Sequence, residues 1–504
     1  MPDDGAGGVA PGDLETCLRV LVQVASLDPD HPDAHAVRRA TAALYKGYKV
    51  RRRTAKRTAV AAADRAVVAA TATGAPGRID DETRGIALIS EAPGAIAGVL
   101  QRSRPCYACK THYTTVDAFY HQLCPGCARL NREKRHARTD LTGRRALLTG
   151  GRAKIGMYIA LRLLRDGAHT TITTRFPHDA VRRFMAMDDS ADWMHRLKVV
   201  GIDLRDPAQV VSLADEIAAA GTLDVLINNA AQTVRRSPGA YSALAAAESQ
   251  PLPDGPLPEL LTFGHTSDAH PHALAGALES GALAAPAGAD ALHAEVPYRH
   301  AVTELALTAR SAPLPAHGDL VAARGALATA SRGIDAGGLI PDVDHVNSWT
   351  QMVQEVDPVE LLEVQLCNQT APFLLVSRLR ASMAASPARR TYVVNVSAME
   401  GQFSRQYKGP GHPHTNMAKA ALNMLTRTSA AEMLGDGILM TAVDTGWITD
   451  ERPHHTKVRL AAEGFHAPLD LVDGAARVYD PIVRGERGED LHGCFLKDFK
   501  PSPW

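Results

Sequence analysis

The sequence lacks the features that would direct it to a membrane, a secretory route or a nucleic acid. Its 504 residues carry 55 basic and 55 acidic side chains, so no net charge draws the chain toward phosphate backbones or anionic lipids. The N-terminus has neither the basic start nor the apolar stretch of a secretory signal, and no apolar run is long enough to span a bilayer. We expect a cytoplasmic protein without a membrane partner, for which nucleic-acid binding is disfavoured.

Aromatic side chains are also scarce, at 5% of the residues, although apolar residues make up 45%. That apolar content is sufficient for substantial cores and argues against global disorder. Because 504 residues exceed the size of one ordinary core, we expect two to four domains.

The chain divides into four segments by composition. Residues 1–72 have apolar residues at helical spacing and a basic run, which indicates a helical region whose basic run is a solvated face or, as the less favoured alternative, a nucleic-acid contact. This region is also a candidate surface for a protein partner. Residues 73–104 are rich in Gly, Ala and Pro, as linkers are. Residues 105–138 contain a cysteine cluster, and residues 139–504 show alternating strand and helix patterns that predict an α/β domain.

One stretch interrupts this last segment. Residues 233–345 are dominated by Ala, Pro, Gly and Leu and show no alternating strand pattern, so we interpret them as an insertion. Without it, residues 139–232 and 346–504 together have a normal size for one α/β domain. The insertion follows the fourth strand, where it is expected to cover the substrate crevice.

The cysteine cluster predicts a metal site. Two C-x2-C pairs each allow a tight turn to present two thiolates to one tetrahedral ion, which is typical of structural zinc. The pairs are separated by fourteen residues that include the alternative ligands His112 and His121. We expect one structural Zn²⁺ without a catalytic role, whose loss unfolds this module but not the α/β domain. The predicted ligands are Cys106, Cys109, Cys124 and Cys127.

A short apolar strand ends at Thr149 and runs directly into the Gly-containing turn Gly150–Gly156, which a helix follows. This order directs backbone N–H groups and the positive end of a helix dipole toward a pyrophosphate. Strand, turn and helix together predict a dinucleotide site.

These residues resemble the short-chain dehydrogenase/reductase family, whose turn reads T-G-x-x-x-G-x-G. Thr149, Gly150 and Gly156 match, and Lys154 replaces the middle glycine. Three later segments also resemble the family's motifs in the family's order, and the resemblance covers the α/β segment outside the insertion. It implies a Rossmann-type doubly wound parallel sheet. The three later segments are Val199–Leu204, Leu223–Ala231 and Val443–Thr449.

The end of the second strand predicts the choice of cofactor. Arg175 stands where NAD-selective sites carry an acidic residue, and no carboxylate occurs in residues 173–177. An arginine there favours a 2′-phosphate, so NADP(H) is preferred over NAD(H), with Arg152 and Lys154 nearby in sequence.

The resemblance also implies a catalytic tetrad of Asn, Ser, Tyr and Lys. Asn368 and Lys419 match the Asn and the Lys, whereas Ala398 replaces the Ser and Thr415 the Tyr. A threonine hydroxyl is a poor acid at neutral pH and cannot replace the tyrosine. Ser397 is one residue early and is expected on the opposite face of the strand.

Three replacements for the missing proton donor remain open: Tyr407 in a nearby loop, His412 or His414 beside the Tyr position, and a water relayed through Asn368 and Lys419. The candidate catalytic residues are Asn368, Lys419, Thr415 and Tyr407. The expected cofactor contacts are Thr149, Gly150, Arg152, Lys154, Ile155, Gly156, Thr174, Arg175, Asp203, Leu204, Asn229, Ala230, Lys419 and Thr449.

The sequence therefore favours an NADP(H)-dependent oxidoreductase that acts on a carbonyl or alcohol and has an altered proton-donor site. The alternative is a catalytically silent NADP(H)-binding module that engages partners through its zinc module. We expect a homo-oligomer, and the sequence does not identify the substrate.

Overall fold

The computed structural model describes residues 8–78, 88–236, 238–263, 267, 270–271, 335–341, 345–405, 407–449 and 451–504. Most of the predicted insertion, including residues 272–334, lies outside these residues. The strands are β1 (Ile96–Pro105), β2 (His112–Asp117), β3 (Arg145–Leu148), β4 (His169–Thr174), β5 (Leu197–Gly201), β6 (Val225–Asn228), β7 (Glu259–Thr262), β8 (Thr391–Ser397), β9 (Ile438–Asp444), β10 (Phe495–Lys497) and β11 (Lys500–Ser502).

The helices in the described ranges begin mostly at proline or at a capping residue. Asp206 and Asp470, for example, accept backbone N–H groups of the first turns that follow them. The helices are α1 (Pro11–Ala25), α2 (Pro32–Ala69), α3 (Pro125–Arg135), α4 (Lys154–Arg165), α5 (Pro177–Met185), α6 (Pro207–Ala219), α7 (Ser242–Glu248), α8 (Pro358–Gln365), α9 (Ala371–Ala384), α10 (Pro413–Met433), α11 (His454–Ala462) and α12 (Leu471–Glu486).

The chain forms two compact units. The first comprises the residues up to Val67 together with Val99–Ser103, and the second comprises Val68–Gly98 and Arg104–Trp504. In the first unit α1 has no buried residue, and α2 buries only Ala34. Among the described residues, no helix has both the length and the apolar character needed to cross a bilayer.

The second unit contains a nine-stranded sheet in the order β11-β10-β9-β8-β6-β3-β4-β5-β7. All neighbouring strands are parallel except β10 and β11. From β3 the chain adds β4 and β5 on one side, then β6 on the other side of β3; β7 returns to the edge beside β5, and β8 to β11 extend the sheet beyond β6. The sheet therefore has a topological switch point between β3 and β6.

Helices cover both faces of this sheet. The residues of α4, α5 and α12 belong to one buried apolar cluster and those of α6, α9 and α10 to another. The central strands β8 and β9 are buried at every position, as strands covered on both faces must be. The expected Rossmann-type α/β fold is confirmed.

Two strands occur where the sequence predicted none. Strand β1 lies in the segment interpreted as a linker, and β7, which joins the sheet edge beside β5, lies in the segment interpreted as an insertion. Most side chains of β1 and all of those of β7 are exposed or half-buried. Neither strand therefore shows the apolar pattern on which a sequence prediction depends.

Candidate active site

A cavity of 1310 Å³ lies at the carboxyl ends of β3, β4, β5, β6, β8 and β9. We call the part lined by the turn Gly150–Gly156 and by β4 the glycine-turn end. The part lined by residues 396–400, by Lys419 and by residues 444–449 is called the lysine end. Ligands of open parallel sheets bind in such a crevice, at the switch point of the strand order.

The glycine turn is fixed by close backbone contacts. Gly150 has φ +71°, and a Cβ atom on Gly156 would lie 1.9 Å from the Gly150 carbonyl oxygen. The Asn229 amide donates to the carbonyls of Thr149 and Gly150, each at 3.0 Å. The hydroxyl oxygen of Thr149 accepts the backbone N–H groups of Asn229 and Ala230. Thr149 therefore stabilises the turn through these hydrogen bonds and does not line the cavity.

The two cations of the turn are paired with carboxylates. Lys154 has φ +51°, a left-handed conformation that suits the glycine it replaces, and its Nζ lies 3.4 Å from an Asp335 oxygen. Arg152 is hydrogen-bonded to Asp179 and stacks on the Phe176 ring at 5.1 Å. The carboxylates of Asp179 and Asp335 therefore offset part of the positive charge of Arg152 and Lys154, which the sequence predicts to lie near a cofactor phosphate.

Arg175 borders the same end of the cavity. Its guanidinium lies 5.4 Å from the centre of the Tyr241 ring and 5.8 Å from that of Phe176. The hydroxyl of Thr174 accepts the Phe176 N–H at 2.9 Å, which orients the turn after β4. The two rings restrain the arginine at the cavity edge, where a planar guanidinium can bind a phosphate.

Asp203, an expected cofactor contact, lines the cavity but has its carboxylate in a buried ion network. It pairs with Arg205 at 2.5 Å and with His270 at 3.1 Å, and Arg205 also pairs with Glu363 at 2.9 Å. Burial alone would raise the pKa of Asp203, but Arg205 and His270 hold it well below its ordinary value. The carboxylate is thus committed to the protein.

Described residues of the predicted insertion border both ends of the cavity, since Arg236 lines it and pairs with Glu451, just after the loop 444–449, at 3.2 Å. Tyr241, Gly337 and Leu339 line the cavity at the glycine-turn end, and the Ile340 N–H donates to the Ala240 carbonyl at 2.9 Å. Most of the insertion that is predicted to cover the substrate crevice, including residues 272–334, lies outside the described residues.

Lys419 is central to the lysine end. Its ammonium donates to the Val396 carbonyl at 2.7 Å, and burial lowers its pKa to about 8. The Ser397 hydroxyl is buried and has no hydrogen-bond partner among the described residues. Lys408 donates to the Met399 carbonyl at 2.9 Å. Lys419, Ser397, Met399 and Lys408 all line the cavity.

The other three candidate catalytic residues do not line the cavity. Asn368, on one turn of π-helix between α8 and α9, accepts the Gln232 N–H at 2.7 Å and donates to its carbonyl at 2.9 Å. Thr415 is buried and donates its hydroxyl to the His412 carbonyl at 2.9 Å. Tyr407 is 72% exposed. The first two side chains are engaged with backbone groups and the third faces solvent.

The two histidines weighed as proton donors differ in position. His412 lines the cavity and stacks on Trp349, with 3.9 Å between ring centres. His414 is buried outside the lining, 3.8 Å from Glu360, and burial lowers its pKa to about 4. His414 is therefore neutral near pH 7 and lies away from the cavity.

Of the residues predicted to contact a cofactor, the following line the cavity: Gly150, Arg152, Lys154, Ile155, Gly156, Thr174, Arg175, Asp203, Leu204, Asn229, Ala230, Lys419 and Thr449. Sequence reasoning missed several others, which reach it from distant segments. They are Tyr107 and Lys110 of the cysteine module, Trp349, and the ion pair of Lys497 with Asp444. Two of them offered a signal in the sequence: Tyr107 lies inside a C-x2-C turn, and Asp444 lies inside the motif Val443–Thr449.

The four cysteines form a cluster that fits one tetrahedral ion. Their sulfur atoms all lie within 4.8 Å of one another, and those of Cys109 and Cys124 are 3.6 Å apart. Four thiolates around zinc lie about 3.8 Å from each other, given Zn–S bonds of about 2.3 Å. The backbone N–H of Cys124 also donates to the Cys106 sulfur at 3.3 Å, as in thiolate-binding turns.

Comparisons with known proteins find similarity in part of the chain. Residues 144–248 match the family model described as short chain dehydrogenase. An uncharacterized protein of Acanthamoeba polyphaga mimivirus is 29% identical over 398 residues, which cover 75% of this chain and 71% of the viral protein. A Streptomyces lividans protein named "Probable oxidoreductase" is 40% identical over 91 residues, which cover 18% of this chain and 29% of that protein.

One similar solved structure is a short chain dehydrogenase from Burkholderia cenocepacia in complex with NADP, with 17% identity and a TM-score of 0.41. The match covers 71% of this chain and 97% of that one. Residues 144–248 are thus similar in sequence to short chain dehydrogenases, and the domain that contains them has a Rossmann-type fold.

Proposed function

We propose that this protein is an NADP(H)-dependent oxidoreductase that acts on a carbonyl or alcohol through an altered proton-donor site. The observation that carries the proposal is that the glycine turn and the buried Lys419 line one cavity at the switch point of the sheet. The Streptomyces lividans relative, named an oxidoreductase, agrees with it over the 91 matched residues.

Bound NADPH supplies a hydride to the carbonyl carbon, and the protein must supply one proton to the carbonyl oxygen to form the alcohol. Lys419 is the proposed source, directly or through a water, because it is the candidate catalytic side chain that lines the cavity. Its pKa of about 8 leaves it mostly protonated at neutral pH yet able to release a proton. Alcohol oxidation returns the proton to the neutral amine.

Arg175 is proposed to select NADP(H). Arg175 follows β4, lines the cavity and is restrained by the Tyr241 and Phe176 rings, whose centres lie 5.4 and 5.8 Å from its guanidinium. Charge-assisted hydrogen bonds from a guanidinium to a phosphate are strong and directional.

The four-cysteine cluster is proposed to hold one structural Zn²⁺. Cys106, Cys109, Cys124 and Cys127 would complete a tetrahedral shell, so no open position remains for catalysis. Elemental analysis should find one zinc per chain, and Cys124→Ser should lower that ratio. Purified protein without stoichiometric metal would refute the proposal.

The enzymatic proposal is tested by calorimetry with NADPH, followed by NADPH oxidation with a broad panel of aldehydes and ketones. We expect binding and turnover of at least one carbonyl class. Binding without turnover across the panel would favour the alternative, a catalytically silent NADP(H)-binding module. That alternative is favoured by one observation: Ala398 and the buried Thr415 leave the family's two substrate-oxygen contacts vacant.

A further inference from the structure

The cysteine module forms part of the cavity wall. Tyr107 and Ala108, which lie between Cys106 and Cys109, line the cavity together with Lys110. The module is also joined to α12 by buried polar contacts. Tyr120 donates to Asp473 at 2.7 Å, and Arg135 makes two hydrogen bonds to Asp470 at 2.6 and 2.7 Å. These contacts were not expected of a module that unfolds by itself.

The backbone around the first cysteine pair is tightly restrained. The Cys106 N–H donates to the Thr111 carbonyl at 2.9 Å, and the Lys110 N–H donates to the Cys106 carbonyl at 3.1 Å. Tyr107 donates its N–H to the Gln122 carbonyl at 2.8 Å, beside the second cysteine pair. The direction of the Tyr107 side chain therefore depends on how the two pairs are held together.

Tyr107 is bonded to the loop that follows β9. Its hydroxyl oxygen accepts the Trp447 N–H at 2.9 Å, across 340 residues of sequence. Gly446, at φ +80°, passes so close that a Cβ atom there would lie 3.6 Å from the same hydroxyl. Residues 444–449 all line the cavity. One hydroxyl thus connects the cysteine cluster to the lysine end.

We propose that Tyr107 is a positioning residue that couples metal binding by the cysteine cluster to NADPH binding in the cavity. A bound ion holds the two cysteine pairs together and so fixes the position of Tyr107. The Tyr107 hydroxyl, which accepts the Trp447 N–H, then restrains the loop 445–449. Coupling between two binding sites is reciprocal, so bound NADPH must in turn raise the equilibrium affinity of the cysteine cluster for the metal. The inference rests on the proposed function for its choice of NADPH.

The test measures zinc release from the full chain to a chromogenic chelator, with and without saturating NADPH. Couplings between sites are typically about 5- to 150-fold in affinity. At equilibrium with the chelator, NADPH should therefore lower the apparent dissociation constant for zinc by at least about fivefold. The reciprocal measurement is NADPH affinity by calorimetry before and after metal removal. Affinity should fall by the same factor.

Tyr107→Phe separates the hydroxyl from the rest of the module. It keeps the ring and the four thiols, so zinc content should stay at one per chain. The factor by which NADPH changes the affinity for zinc should fall toward one. Tyr113→Phe is the matched control. Tyr113 is a buried tyrosine of the same module whose hydroxyl donates to the His121 carbonyl at 2.9 Å, and it does not line the cavity. It should keep the full coupling.

Equal zinc release with and without NADPH in the unmodified protein would overturn the inference, as would equal loss of coupling in Tyr107→Phe and Tyr113→Phe. A protein that binds no NADPH would contradict the proposed function and the coupling together. A protein that binds and oxidises NADPH, but with no effect on metal release, would contradict the coupling alone.

Discussion

The two ends of the cavity are built in different ways. The glycine-turn end is formed mainly by the short segments that follow β3, β4 and β6. A Cβ atom on Gly156 would lie 1.9 Å from the Gly150 carbonyl oxygen, so no side chain fits at that position. The lysine end brings together segments as far apart in sequence as Tyr107 and Trp447. The first end is fixed by local steric limits and the second by long-range contacts. At the glycine-turn end we therefore expect the largest losses from substitutions that force the backbone to move. At the lysine end we expect them from substitutions that remove a side-chain functional group.

The largest effect is expected from Gly156→Ala. Its new Cβ would meet the Gly150 carbonyl oxygen at 1.9 Å, so the turn must shift. Overpacking costs typically about 1–3 kcal/mol of stability, and we expect NADPH affinity to fall about 100-fold or more. Gly435→Ala is the control, because a Cβ there meets nothing within 4 Å. Calorimetry showing unchanged NADPH affinity in Gly156→Ala would contradict the steric account of this end.

At the lysine end, Lys419→Met should lower turnover by about 10²–10⁴, the usual contribution of a positioned general acid. Thr415→Ala should change turnover little, because that hydroxyl is committed to the His412 carbonyl. Steady-state kinetics of the two variants, compared with the unmodified protein, measure both changes in turnover. Loss of turnover in Thr415→Ala would make Thr415 a participant in the reaction.

Arg175→Ala tests selectivity at the glycine-turn end. Losing a charge-assisted contact of about 1.5–3 kcal/mol should reduce the preference for NADPH over NADH by about one to two decades. Arg378→Ala, which removes an exposed partner of Asp215 on the outer surface of the sheet's helices, should leave the preference unchanged. Equal affinities for NADPH and NADH in the unmodified protein would refute the assignment.

The smallest effect is a pH dependence. Burial lowers the pKa of Lys419 to about 8, so the ammonium form declines as pH rises through that value. Carbonyl reduction should then fall by about tenfold per pH unit above about 8, while alcohol oxidation rises. The unfolded chain binds this proton up to its ordinary pKa, so the same group makes folding more favourable as pH rises from about 8 toward 10.5.

Kinetic profiles of kcat/KM in both directions measure this dependence. In Lys419→Met, any residual carbonyl reduction should lose the decline near pH 8. A decline that persists in the variant would assign the titration to another group.

Much of the glycine-turn end could be predicted from the sequence. A strand, a glycine and a helix in succession leave few backbone arrangements, so local sequence order is enough to place Gly150 and Gly156 at this end. Asn229 was placed here by the resemblance of residues 223–231 to a family motif. The ion pairs of this end were not predictable. Asp179 and Asp335 come from other segments, and no local pattern indicates that their carboxylates meet Arg152 and Lys154.

The sequence alone determined the α/β order and the two C-x2-C pairs, because each follows from periodicity or spacing within a few residues, and the parallel sheet followed from the resemblance of its motifs to a known family. Only the tertiary structure decided what faces the cavity. Asn368 and Thr415 lie in the expected motifs, yet neither lines the cavity, and their polar groups are bonded to the backbone of Gln232 and His412. Tyr107 became part of the wall through a contact between distant segments. Side-chain direction in a crevice depends on the packing of several elements, which sequence spacing does not encode.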